Sequence, residues 1–248
     1  MIIEIKNLVK NYKDFKAVNI ENLNIKEGEI FGFLGPNGAG KTTTISILSG
    51  LFSKYSGEVK IFGNNIKENS LSIKKNLGVV PQDLALIDDL TAEENVKFFG
   101  ELYGLRGKDL KAAVKETLEF VGLWDRKKDF PPKFSGGMKR RLNIACAIVH
   151  KPKLIIFDEP TIGIDPQSRN NILETIKKLN EQGSTVIYTS HYIEEVDSIC
   201  SDICIIDHGE IIAKGTNDEL KALVKHEDGS IASLEEVFLQ LTGRSLRD

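Results

Sequence analysis

Nine residues, Gly35-Pro36-Asn37-Gly38-Ala39-Gly40-Lys41-Thr42-Thr43, constrain the fold of this chain more than any other segment. They fit the pattern G-x-x-x-x-G-K-[ST], the Walker A loop. The apolar run Glu29-Ile30-Phe31-Gly32-Phe33-Leu34 precedes them and predicts a strand, while residues 43–49 predict a helix. A strand, a glycine-rich turn and a helix N-terminus in that order make a phosphate cradle. The glycines let backbone N–H groups turn inward without Cβ clashes. The helix start adds unsatisfied donors and partial positive charge. Lys41 can reach the β- and γ-phosphates of a nucleotide, and the Thr42 hydroxyl can ligate Mg²⁺.

The 248 residues allow one large or two small domains with a real core. A net charge of -3 offers no basic field to hold nucleic acid. No apolar stretch approaches the roughly 18 to 20 residues that a membrane span needs. The N-terminus Met1-Ile2-Ile3-Glu4-Ile5-Lys6 lacks a signal-peptide layout. The chain is therefore expected to stay in the cytosol. Three cysteines, Cys146, Cys200 and Cys204, are an odd count that argues against a disulfide framework. Cys200 and Cys204 are spaced to share a helix face, with small buried hydrophobes the favoured role.

Strands and helices alternate along the sequence. Residues 2–9 alternate in part in polarity and 16–25 alternate with a change of phase between Ile20 and Leu23 that a bulge or turn at Glu21-Asn22 would explain. Further strands are expected at 57–63 and 77–81. Thr91-Ala92-Glu93-Glu94 is a capping box that opens a helix carrying Val96, Phe98, Phe99 and Leu102. Leu110, Ala113, Val114, Leu118 and Val121 form a second helical stripe. Residues 84–134 thus read as a helical insertion. Strands at 153–157, 184–190, 202–207 and 210–213 alternate with helices at 166–181 and 192–199. Asp165 caps the first of these helices, with Pro166 in its first turn. His208-Gly209 reads as a hairpin turn. Ser233-Leu234-Glu235-Glu236 opens a last helix that stops near Gly243, within a C-terminal helical extension of 216–248. The pattern predicts one α/β domain over 1–248. Its sheet is mostly parallel and covered on both faces, with antiparallel strands at the N-terminus.

Two further motifs carry chemistry. Leu154-Ile155-Ile156-Phe157-Asp158-Glu159 is a Walker B pattern, with two acids at the end of a buried strand, where ligands bind in open α/β sheets. Asp158 would face Mg²⁺, and Glu159 would polarise an attacking water. Phe134-Ser135-Gly136-Gly137-Met138-Lys139-Arg140-Arg141-Leu142 places a serine cap and two glycines at a helix start. This is a second anion-binding helix N-terminus.

With these residues the sequence resembles the ATP-binding subunit of an ABC transporter. Ser135-Gly136-Gly137 matches the family signature S-G-G, while Phe134 and Met138 depart from its common form L-S-G-G-Q. A signature ending in Met and followed by Lys-Arg-Arg-Leu is similar to exporter-type members. The resemblance implies a P-loop NTPase core in the ABC ATPase fold, binding ATP and Mg²⁺. It implies that Tyr12 stacks on adenine and that Gln82 ligates Mg²⁺ and senses the γ-phosphate. It also implies that Gly163-Ile164-Asp165-Pro166 is the D-loop and that His191 is the switch histidine at the γ-phosphate. Phosphates would lie on residues 35–43 of one copy and on Ser135-Gly136-Gly137 of another, in a homodimer or a heterodimer. Catalysis would then rest on Glu159, His191, Lys41 and Gln82.

The partner so implied is a separate transmembrane permease, which would hold the subunit at the cytoplasmic face of the membrane. The tail motif from Ser233 to Gly243 also resembles exporter-type subunits. The alternative is a soluble, non-transport ABC ATPase acting in cofactor or complex assembly. Translation-factor-type members carry two ATP-binding units in one chain, and repair-type members carry a long coiled coil. This sequence has neither feature.

Overall fold

Alternating apolar residues build the first hairpin. Ile3, Ile5 and Leu8 of β1 (Ile3–Tyr12) and Val18, Ile20, Leu23 and Ile25 of β2 (Phe15–Ile25) are all buried. Strand β3 (Ile30–Leu34) is buried at every position and leads through the glycine-rich loop into α1 (Lys41–Leu48). Then follow β4 (Ser56–Ile61), β5 (Asn64–Asn65), α2 (Ser70–Lys74) and β6 (Leu77–Val80). The helical stretch holds α3 (Ala92–Leu102), α4 (Gly107–Phe120), two 3₁₀ turns and α5 (Gly136–Ile148). Alternation resumes with β7 (Leu154–Asp158), α6 (Pro166–Glu181), β8 (Thr185–Ser190) and α7 (Ile193–Ile199). The chain closes with β9 (Asp202–Asp207), β10 (Glu210–Gly215), α8 (Asn217–Lys221) and α9 (Leu234–Thr242). The computed structural model describes residues 1–224 and 230–243. Among them no helix is long and apolar enough to cross a membrane.

The chain divides into two compact units, Met1–Ile73 with the residues from Thr185 onward, and Lys74–Ser184. In the first unit, β2-β1-β4-β5 form an antiparallel sheet. Strand β3 lies between β8 and β9, parallel to both, and β10 pairs antiparallel with β9. The β9–β10 turn has His208 at φ 47° and Gly209 at φ 80°, the left-handed pair that suits a tight hairpin. The phase change in β2 is real, since Glu21 and Asn22 are both exposed, but the ladder with β1 keeps one register across it. Strand β1 changes face in step at Lys6-Asn7, where Asn7 takes φ 49°. The register break lies at Lys10/Asn11 instead.

In the second unit, β6 and β7 pair in parallel, Leu77 with Leu154 and Val80 with Phe157. Thr91 and Glu94 cap α3 reciprocally, as the capping box predicts. The face that α3 buries is Ala92, Asn95, Val96 and Gly100, whereas Phe98 and Leu102 are exposed. The rings of Tyr103 and His150 stack 3.4 Å apart at 4°, and His150 Nε2 donates to Leu77 O at 3.2 Å. Burial pushes the His150 pKa down to about 4. The unfolded chain takes up this proton near pH 6.5 and the folded one does not. Stability should therefore fall as pH drops from 6.5 towards 4, by roughly 3 kcal/mol. Urea unfolding between pH 7 and 4 tests this: His150→Gln should flatten the acid limb by about one proton.

The C-terminal helices are α8 and α9. Thr216 and Ser233 each form a capping box, and Gly243 ends α9 in a left-handed turn. Residues 225–229 and 244–248 of the expected extension lie outside the described residues. The three thiols are free and buried. Cys200 sits at the end of α7 and Cys204 within β9, so they share no helix face.

Candidate functional site

In the first unit the site begins where β3 ends. Leu34 is level with Ser190 of β8, so the Gly35 loop and His191 leave neighbouring parallel strands at the same edge. Gly40 caps α1 at φ 101°, a conformation costly for any side chain, and a Cβ there would come within 2.5 Å of Ala17 O. Gly38 is also left-handed, at φ 80°. Such turns gather peptide N–H groups into a concave anion nest. The tip of the β9–β10 hairpin braces the loop, with Gly209 N–H donating to Ala39 O at 2.9 Å. Lys41 is 5% exposed, and its Nζ donates to Gly35 O at 2.7 Å and Pro36 O at 3.1 Å. Gly35, Pro36 and Ala39 are buried, while Asn37, Gly38 and Thr42 are exposed and Thr43 is half-buried. An ammonium drawn into a loop whose rim is open suits a polyphosphate.

His191 is half-buried, its ring tilted over that of Tyr192 at 4.2 Å. The buried Glu195 carboxylate supports the strand before it, accepting from Tyr188 Oη at 2.6 Å and Ser190 Oγ at 2.8 Å. Tyr12 is exposed at the end of β1, edge-on to Phe52, with the Lys10 ammonium 5.0 Å from its ring.

The second unit gathers the remaining candidates. Val80 is level with Phe157, so Gln82 and the Asp158-Glu159 pair leave parallel strands at one edge. Gln82 is exposed, whereas Asp158 and Glu159 are buried. Glu159 holds φ 45°, an uncommon backbone state for a non-glycine residue, and such strain concentrates at functional sites. Ser135 Oγ caps α5 by accepting Met138 N–H at 3.3 Å. Ser135 and Gly136 are exposed, but Gly137 is buried where a Cβ would collide with Ser168 Oγ. Ser168 N–H in turn donates to Asp165 Oδ1 at 2.9 Å, a bond that holds the Asp165 carboxyl below the usual carboxylate range. The serine–diglycine cap and the Asp165 turn are thus packed side by side.

Three residues emerge that the sequence patterns did not single out. Arg140 is buried with its guanidinium on Pro81 O at 2.7 Å and Gln82 O at 2.6 Å. Asn143 Oδ1 accepts Ala85 N–H at 3.2 Å. The buried Asn95 accepts Ile87 N–H and donates to the carbonyls of Ile87, Leu90 and Thr91. The signal was a polar residue on the buried side of an otherwise apolar helix, as Asn95 in α3 and Asn143 in α5.

The donor set fits nucleotide and Mg²⁺. In the first unit, the left-handed Gly38 and Gly40, the buried Lys41 ammonium and the exposed Thr42 suit a phosphate; in the second, the buried Asp158 and Glu159 at the end of β7 are hard oxygen donors of the kind Mg²⁺ takes. Comparison with known proteins agrees. The family model described as "ABC transporter" matches residues 18–162, more than half of the chain. The chain is 52% identical over 219 residues to the linearmycin resistance ATP-binding protein of Bacillus subtilis, covering 88% of this chain and 70% of that protein. It is 35% identical to a Nod factor export ATP-binding protein of Cupriavidus metallidurans, covering 100% of this chain and 99% of the relative. Among solved structures, a dimeric ATP-binding cassette in a post-hydrolysis state with ADP and Pi superposes with a TM-score of 0.78 at 31% identity, over 86% of this chain and 98% of that one. A phosphate loop on β3, acids ending β7, a serine–diglycine cap on α5 and these relatives converge: the chain belongs to the ABC transporter family, as one of its ATP-binding subunits.

Proposed function

We propose that this chain is the ATP-hydrolysing motor of an exporter and that it acts on a membrane permease carried by another polypeptide. The observation that carries the reading is that the described residues hold one phosphate loop and a separate serine-capped helix start, α5, that no second loop among them serves. Two copies, or this chain and a homologous subunit, would meet head to tail. The Lys41 loop of each would then receive ATP under the Ser135-Gly136-Gly137 cap of the other, a closed pairing that completes both sites at once. The relatives named for drug resistance and for Nod factor export favour export over an assembly role.

The chemistry is phosphoryl transfer to water, which depends on positioning and charge stabilisation. Lys41 and the loop amides take the β- and γ-phosphate oxygens, and Tyr12 offers its exposed ring to the base. Glu159 orients the attacking water and accepts its proton, and His191 holds the γ-phosphate. Thr42, Gln82 and Asp158 are the residues that would hold Mg²⁺. The ion would supply neutralisation of the phosphate charge. Residues 84–134 form the segment we assign to permease docking, which would place the chain at the cytoplasmic face of the membrane.

Co-expression with a candidate permease, a polytopic membrane protein if one is encoded beside this chain, tests the reading. The two should co-purify, and ATPase activity should rise when the permease meets its cargo. A chain that never associates with such a protein, and whose ATPase is indifferent to it, would overturn the export assignment.

A further inference from the structure

Arg140 has no role in the proposed chemistry, yet it is 4% exposed and reaches a segment 58 residues away in the chain. It lies one turn beyond the serine–diglycine cap on α5. Its Nη1 donates to Pro81 O at 2.7 Å and its Nη2 to Gln82 O at 2.6 Å. A planar guanidinium can grip two successive carbonyls with one rigid fork, which a lysine cannot do. Asn143, three residues further along α5 and so on the same side of the helix, holds the next part of the segment through Ala85 N–H at 3.2 Å. The backbone on both sides of the Gln82 side chain is therefore tied to the helix that begins at Ser135. Carbonyls are weaker partners than carboxylates for a buried cation, and Asp83 is the acid whose field favours the charge. A core strut alone could be apolar at lower cost in desolvation.

We propose that Arg140 is a positioning residue, which through its fork on Pro81 and Gln82 sets where the Gln82 carboxamide sits relative to the serine–diglycine cap. The Gln82 segment and the start of α5 then move as one piece. This rests on the reading of Gln82 as a Mg²⁺ and γ-phosphate contact.

The test is a double-mutant cycle on the full chain, read by binding rather than turnover. The affinity of a fluorescent ATP analogue is measured with Mg²⁺ and with EDTA, and the gain that Mg²⁺ confers is compared. Gln82→Ala should shrink that gain by about tenfold, the scale for loss of a group that orders a metal site. Arg140→Met should shrink it by a similar factor while leaving affinity in EDTA unchanged, and Arg140→Lys should fall in between. The double variant should be no worse than Gln82→Ala alone, because the two residues act through one group. Thermal unfolding checks that each variant is folded, and Arg140→Lys runs the same cycle if Arg140→Met is not. An unaltered Mg²⁺ gain in the Arg140 variants, or losses that multiply in the double variant, would overturn the proposal. A normal Mg²⁺ gain in Gln82→Ala would instead overturn the assignment of Gln82, and the coupling with it.

Discussion

Glu159→Gln is expected to bind ATP as the unchanged chain does and to turn it over about 10²- to 10⁴-fold more slowly, the range for loss of a general base. The substitution is close to isosteric, so the buried pocket at the end of β7 need not repack. It removes a proton acceptor and leaves a group that can still hydrogen-bond. The backbone at 159 adds to the argument. A glutamate at φ 45° costs about 1 to 3 kcal/mol that only the surrounding structure can offset. Strain of that kind is tolerated where it aims a side chain, and Gln can occupy the same backbone state. With hydrolysis blocked, the head-to-tail pair proposed above should open only by releasing ATP. Size-exclusion chromatography with ATP should therefore show a stable dimer of Glu159→Gln where the unchanged chain cycles back to monomer. ATPase rates close to those of the unchanged chain would remove Glu159 from the role of base.

Parts of the molecule that are encoded locally could be read in advance. The Walker A loop depends on glycines and a lysine at fixed spacing, and the structure turns Gly38 and Gly40 into the left-handed region as that spacing requires. The three helix starts at Thr91, Asp165 and Ser233 follow from a cap and its partner three residues on, and all three bonds are present. Helix α6 runs from Pro166 to Glu181 as its proline and cap dictate. What the sequence did not reveal depends on residues far apart. The Arg140 fork needs the partner carbonyls of Pro81 and Gln82, whose identity is invisible because every residue has a carbonyl. Gly137 reads as a helix-start glycine, but its need for no Cβ comes from Ser168. The apolar residues Val96, Phe98, Phe99 and Leu102 did not say which face of α3 is buried; Phe98 and Leu102 are exposed, and Asn95 takes a buried position because three carbonyls satisfy its amide. The bulge was misplaced for a related reason. A phase change in one strand shows that the face switches, but only the partner strand shows whether the register slips.

Lys41→Ala should act at the opposite end of the cycle from Glu159→Gln, weakening the ATP affinity on which turnover depends. The lysine has two tasks. One is electrostatic: an ammonium 5% exposed, within the glycine-rich loop, is a charge that solvent screens poorly. The other is mechanical, since its bonds to Gly35 O and Pro36 O close the loop on itself. Alanine removes both and leaves those two carbonyls without that donor. Charge-assisted bonds to phosphate are worth roughly 1.5 to 3 kcal/mol each. Loss of contacts to the β- and γ-oxygens then weakens ATP binding by at least about 100-fold. Lys41→Arg separates the tasks, because it keeps the charge but its planar head cannot fold back into the same turn. Titration calorimetry should place Lys41→Arg between the unchanged chain and Lys41→Ala for ATP. For AMP, which lacks the β- and γ-phosphates, the three should differ little. An equal loss for AMP and ATP in Lys41→Ala would mean that the loop has collapsed and that the lysine is a structural clasp rather than a phosphate ligand.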